Sequence, residues 1–166
     1  MNLDRINFQE SQEHQSSIEE QFANSKVRNE QGELLKVYHY SDDQIETFSL
    51  GFVGKNYEGD AGFFGSGIYF TDSDEDYSYG KNKYSAYLNL KNPLILKNPS
   101  VEDVNKLHGM KEELISQGYD GTMIWNDEKE DEIRTIFRKE QIIKGRPKGW
   151  SEICVFNPED IYKIEN

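Results

Sequence analysis

"GFFGSGIYFTDSDEDYSYG", residues 62–80, decides how this chain is read. Glycines at 62, 65 and 67 crowd against aromatic residues, and a short apolar run, "GIYFT", leaves the last of them. Glycine lets backbone approach a neighbour closely or take conformations closed to other residues. The aromatic residues that follow offer flat surface, and a heterocyclic base stacked on such a face gains roughly 1–3 kcal/mol. On spacing alone the stretch fits a glycine-rich turn beside a core strand as well as it fits a ligand loop. It is not a dinucleotide fingerprint: "GFFGSG" runs G-x-x-G-x-G, and no βαβ unit surrounds it.

Working outward, the upstream segment 25–41, "SKVRNEQGELLKVYHYS", reads as a turn at "NEQG" followed by a strand ending near His39. Downstream, "KYSAYLNLKNPLILK" (83–97) alternates, with Tyr84, Ala86, Leu88 and Leu90 on one side, and Asn92-Pro93 interrupts it. "SVEDVNKLHGMKEELISQG" (100–118) has a helical apolar period, with Ser100 as N-cap and Gly118 as the stop. "YDGTMIW" reads as a strand, "IRTIFRK" as another, and "QIIKGRPKG" as a basic loop. "WSEICVFNPEDIYKIEN" supplies the strand "EICVF", a turn at Asn157-Pro158, and "DIYKI". Residues 1–24 are polar and are expected as an arm or short helix before a domain at 25–166. Strands outnumber helices at irregular spacing, which excludes regular βαβ alternation and predicts an α+β domain.

Composition narrows the function. The 166 residues carry 19 basic and 31 acidic side chains, a net charge of −12. That balance disfavours phosphate-backbone binding but leaves room for a small anionic ligand in a local pocket. Cys154 is the only cysteine, so no intrachain disulfide forms. The histidines, His14, His39 and His108, share no ligand spacing, and no metal is expected. No apolar leader or membrane-length stretch occurs, and a cytoplasmic setting is expected.

Four segments, taken together and in order, resemble the ADP-ribosyltransferase fold. The likeness is to its His-Tyr-Glu branch, which includes diphtheria-toxin-like and poly(ADP-ribose) polymerase catalytic domains. They are "SKVRNEQGELLKVYHYS", "GSGIYFTDSDEDYSYG", "YLNLKNPLIL" with "GYDGTMIW", and "SEICVFNPEDI", spanning about residues 25–164. The chain is especially similar to the small ADP-ribosyltransferase domain of phage and mobile-element polyvalent proteins. The resemblance implies a split β-sheet core with few helices, and NAD as substrate with nicotinamide leaving.

Residue by residue, the resemblance implies that His39 bonds the adenosine-side ribose. Tyr69 and Tyr79 sandwich the nicotinamide ring, with Tyr77 and Tyr84 competing for the second place. Glu152 bonds the 2′-hydroxyl of the nicotinamide ribose. Ser41 supports His39 or the ribose, the backbone of Tyr40 faces the nicotinamide amide, and Gly67 admits the ligand. Glu152, His39 and Tyr69 are thus the expected catalytic set. Arg28 or Lys55 is a candidate for the pyrophosphate.

Two positions depart from the family pattern. Tyr40 stands where the family has glycine, so its side chain is expected to restrict the backbone and crowd the pocket. Trp150 stands two residues before Glu152, where arginine-modifying relatives carry an acid. It is expected to offer the acceptor a flat contact, next to the basic residues Lys144, Arg146 and Lys148. The expected partners are NAD and a macromolecular acceptor, a protein in first place, with no membrane partner and a monomeric chain. The setting implied is a phage or mobile element acting in a bacterial host. NAD hydrolysis without an acceptor, and a non-catalytic binding module, are the rival readings.

Overall fold

A computed structural model describes residues 17–49, 67–75, 80–127 and 148–165. Two sheets form the body. The first holds strands β1 (Val37–Ser41), β3 (Asn82–Leu88) and β7 (Ile161–Lys163) in the order β1-β3-β7, all antiparallel. The second holds β2 (Ile68–Phe70), β6 (Gly149–Val155), β5 (Gly121–Asn126) and β4 (Pro93–Lys97) in the order β2-β6-β5-β4. Among the described residues only the β4–β5 pair is parallel.

Alternation in the sequence explains the packing. Ala86, Leu88 and Leu90 all turn inward and are wholly buried, with Tyr84 packed beside them. They meet Val37 from the first sheet and Ile68, Phe70, Met123, Ile153 and Val155 from the second. This inter-sheet core is the main hydrophobic mass, and each such side chain removed from water contributes roughly 1.5–3 kcal/mol. The sheets also touch edge to edge at a bridge: Tyr38 and Thr71 exchange backbone hydrogen bonds of 2.8 and 2.9 Å.

A parallel pair needs a crossover, and helices supply it. The segment 100–118 forms two short helices, α2 (Val101–Asn105) and α3 (Lys111–Ser116), where the apolar period predicted one. The break falls at Gly109, whose φ of +76° lies outside the helical range. Ser100 caps α2 as expected, in a capping box with Asp103. The far end closes by Gly118 N–H to Ile115 and Tyr119 N–H to Leu114, the paired bonds of a Schellman ending. Val104 and Leu114 press on Ile124, Cys154 and Phe156, so both helices cover the outer face of the second sheet.

Residues 17–21 form a helical turn, α1. Ile18 and Phe22 are buried with Leu34 against Tyr87 and Tyr162, so residues 18–22 pack on the domain. The "NEQG" turn forms as expected, with Gly32 N–H donating to Asn29. The predicted strand "IRTIFRK" lies outside the described residues.

Candidate active site

β1 and β2 are neighbours at the Tyr38–Thr71 bridge, and a side chain takes over beyond it. His39 Nδ1 lies 2.7 Å from the backbone carbonyl of Tyr69 and donates its proton there. The imidazole therefore stands in for a ladder bond at the point where the sheets part. Donation from Nδ1 fixes the tautomer of the neutral ring and leaves Nε2 as an acceptor. The ring sits edge-on to Phe48 at 5.4 Å and tilted against Phe70 at 5.7 Å. Burial among these groups pushes its pKa below the usual 6.5, and the bond to Tyr69 opposes that shift. A neutral imidazole whose Nε2 carries a lone pair suits a hydroxyl donor, such as a ribose OH.

Register places Glu152 relative to Tyr69. In the β2–β6 pair Tyr69 stands opposite Cys154, and Glu152 lies two residues along the same strand. Side chains alternate on a strand, so Tyr69, Cys154 and Glu152 share the outer face of the second sheet. Tyr69 packs against the cluster under α2 and α3. Burial pushes the Cys154 thiol up to about 12, a hydrogen bond from Tyr69 opposes this, and the Glu152 charge adds to it. Cys154 is therefore an unreactive filler at neutral pH. Oε2 of Glu152 is shut off from solvent.

The remaining expected residues fall into place differently. Tyr40 is buried and its hydroxyl donates to the Ser73 carbonyl at 2.7 Å. One residue from His39, it points to the opposite face of β1, so its side chain does not crowd the imidazole. Ser41 is buried, and its Oγ accepts the Asp43 N–H at 3.1 Å, closing the turn after β1. A Cβ on Gly67 would overlap Cys154 Sγ and come within 3.1 Å of the Val155 carbonyl. Packing of β2 on β6 thus accounts for this glycine without a ligand. Tyr79 lies outside the described residues, as do Tyr77, Lys55, Lys144 and Arg146; Gly80, which follows Tyr79, abuts the Ser41 backbone.

One expectation is corrected, and one residue stands elsewhere than a regular strand would put it. Arg28 does not serve as a pyrophosphate ligand: its guanidinium donates to the carbonyls of Ser25, Gly32, Phe22 and Ala23 and to Glu19. All its nitrogens are spent tying α1 to the 29–33 turn. Trp150 does not share a face with Glu152. A bulge shifts register between Ile124 and Trp125, so Glu152 pairs with Ile124 and Trp150 with Trp125. Residues two apart would share a side of a regular strand, but the extra residue, Ser151, turns Trp150 onto the inter-sheet core. There it meets Trp125 edge-on at 4.9 Å. Lys148 sits 5.9 Å from the Trp125 ring, held as a cation over its face.

Sequence reasoning missed the group that holds β6 in this position. Asp72 Oδ2 accepts the Trp150 N–H at 2.9 Å, and the Asp72 N–H donates to the Trp150 carbonyl at 3.1 Å. Burial raises the Asp72 pKa and the bond from Trp150 opposes the rise. The only trace in the sequence was an aspartate closing "GIYFTD".

Two split, mostly antiparallel sheets with few helices fit the core of an ADP-ribosyltransferase fold. The family model for the ADP-ribosyltransferase in polyvalent proteins matches residues 29–166. The chain belongs to that family. No curated protein matches it.

Proposed function

We propose that the protein is a mono-ADP-ribosyltransferase that moves ADP-ribose from NAD to a macromolecular acceptor, a protein in first place. ADP-ribosyltransferase domains use NAD as substrate, and the family membership supports ADP-ribosyl transfer in general. The observation that supports an NAD site in this chain is the His39–Tyr69 hydrogen bond, with Glu152 on the Tyr69 side of the adjoining strand.

The chemistry asks little of the protein beyond placement and charge. The bond between the ribose C1′ and the pyridinium nitrogen breaks with its electron pair going to nitrogen, so nicotinamide departs neutral. No acid is needed. Positive charge grows on the ribose, as in glycoside hydrolysis. The Glu152 carboxylate, bonded to the ribose 2′-hydroxyl, stabilises that charge where water is excluded. The acceptor then attacks C1′ and gives up its proton. His39 Nε2 accepts from the adenosine-side ribose and sets the dinucleotide's orientation. Tyr69 supplies one flat wall for the nicotinamide, with Tyr79 proposed for the other, and the Tyr40 backbone and Ser41 border it.

Glu152→Gln tests this. The expected result is NAD binding by calorimetry within about threefold of wild type and nicotinamide release slowed ~100-fold or more. Wild-type turnover in the variant, or no NAD binding by the unaltered protein, refutes the reading. Labelled NAD then separates transfer from hydrolysis: label on acceptor macromolecules supports transfer, and release that ignores them means glycohydrolase.

A further inference from the structure

Glu152 owes its side of the sheet to its surroundings, because the strand that carries it is irregular. Between Trp150 and Glu152 lies the bulged Ser151, and a one-residue slip would send the carboxylate to the opposite face. Two side chains pin the segment. Asn126 Nδ2 donates to Ser151 Oγ from β5. Asp72 accepts the Trp150 N–H and returns a backbone bond to the Trp150 carbonyl from the end of β2. Gly149 completes the clamp, since any Cβ there would overlap the Asp72 carboxylate. Asp72 also lies three residues after Tyr69, so one short segment holds both the tyrosine and the grip on the glutamate's strand.

We propose that Asp72 is a positioning residue for ADP-ribosyl transfer: through the Trp150 N–H it fixes the register of β6 and hence the face on which Glu152 meets the ribose. This rests on the assignment of Glu152 above. In this role Asp72 acts through the strand rather than on the substrate. A displacement of about 1 Å at a reacting group is enough to cost roughly a hundredfold in rate, and loss of this grip acts on the strand two residues before the carboxylate.

The test uses Asp72→Ala, Asp72→Asn and Asp72→Glu in the full chain, with Glu152→Gln alongside. Single-turnover nicotinamide release is followed against NAD concentration, which separates the rate from the NAD affinity, and melting is recorded for each variant. Asn keeps an oxygen that accepts the Trp150 N–H without the charge. Glu keeps the charge but moves the acceptor by a methylene into the space beside Gly149. The expected pattern is a maximal rate about tenfold or more slower for Ala and Glu, NAD affinity within about threefold, and recovery in Asn to within about threefold.

Rates within twofold of wild type for Ala or Glu overturn the proposal. So does an Asn variant as slow as Ala, which assigns the effect to charge, or a parallel loss of rate, affinity and melting cooperativity, which assigns it to folding. If Asp72→Ala does not fold, the Asn and Glu pair decides. If Glu152→Gln turns over like wild type, the assignment of Glu152 has failed; if it is slow while Asp72→Ala is fast, only the role of Asp72 has.

Discussion

Gly67 offers the sharpest separation between packing and ligand contact. Its backbone lies where a β-carbon would overlap Cys154 Sγ and sit 3.1 Å from the Val155 carbonyl. The sulfur has a little freedom, but the carbonyl belongs to β6 and cannot yield without moving the strand. Gly67→Ala therefore overpacks a wholly buried contact, for a cost of about 1–3 kcal/mol. In a chain of 166 residues each kcal/mol lowers the melting temperature by about 2–4 °C, so a fall of roughly 2–12 °C is expected. Cys154→Ala alone removes one buried sulfur and costs about 1 kcal/mol. In the double variant the new methyl enters the space the sulfur left, and much of the loss returns. The measurement is a four-member thermal and urea unfolding cycle, with a coupling of about 0.5–3 kcal/mol in the compensating direction. Strict additivity, or a Gly67→Ala protein as stable as wild type, refutes the packing argument. An unchanged melt with weakened NAD binding would return Gly67 to the ligand.

Two further outcomes follow from the same geometry. The His39 pKa lies below 6.5 in the folded chain, so the unfolded chain binds more protons in the interval beneath 6.5. Stability therefore falls as pH drops from 6.5 to the folded value, and then levels. The Nε2 acceptor is lost at that lower point, so kcat/KM holds through 6.5 and declines below it; an NMR midpoint for His39 at or above 6.5 refutes this. Arg28→Ala loosens α1 and lowers the melting temperature by a few degrees, for about 1–2 kcal/mol of hydrogen bonds made by a charged donor. NAD affinity stays unchanged, and a tenfold loss on calorimetry would reinstate Arg28 as a phosphate ligand.

The strands were legible because burial on one side leaves a two-residue period, as in Tyr84, Ala86, Leu88 and Leu90. The same signal misled at residues 100–118. Val104 and Leu114 press on one sheet face from two helices, so the apolar spacing runs unbroken through Gly109. Periodicity records which side is buried, not whether the backbone is continuous. The candidates His39, Tyr69 and Glu152 rest on resemblance, since no local pattern joins positions 39, 69 and 152. The Asp72–Trp150 bond spans 78 residues, and the Ser151 bulge exists only relative to β5. Arg28 looked like a free cation because spacing does not reveal that four nearby carbonyls point inward at one guanidinium.

β6 is both the strand that bears Glu152 and the central seam between β2 and β5, while β7 closes the other sheet. Until residues 149–163 have emerged from the ribosome, β2 has no neighbour in its own sheet. The second sheet is thus completed by a strand that follows both of its neighbours in the chain, so its assembly waits on the most distant of its pairings.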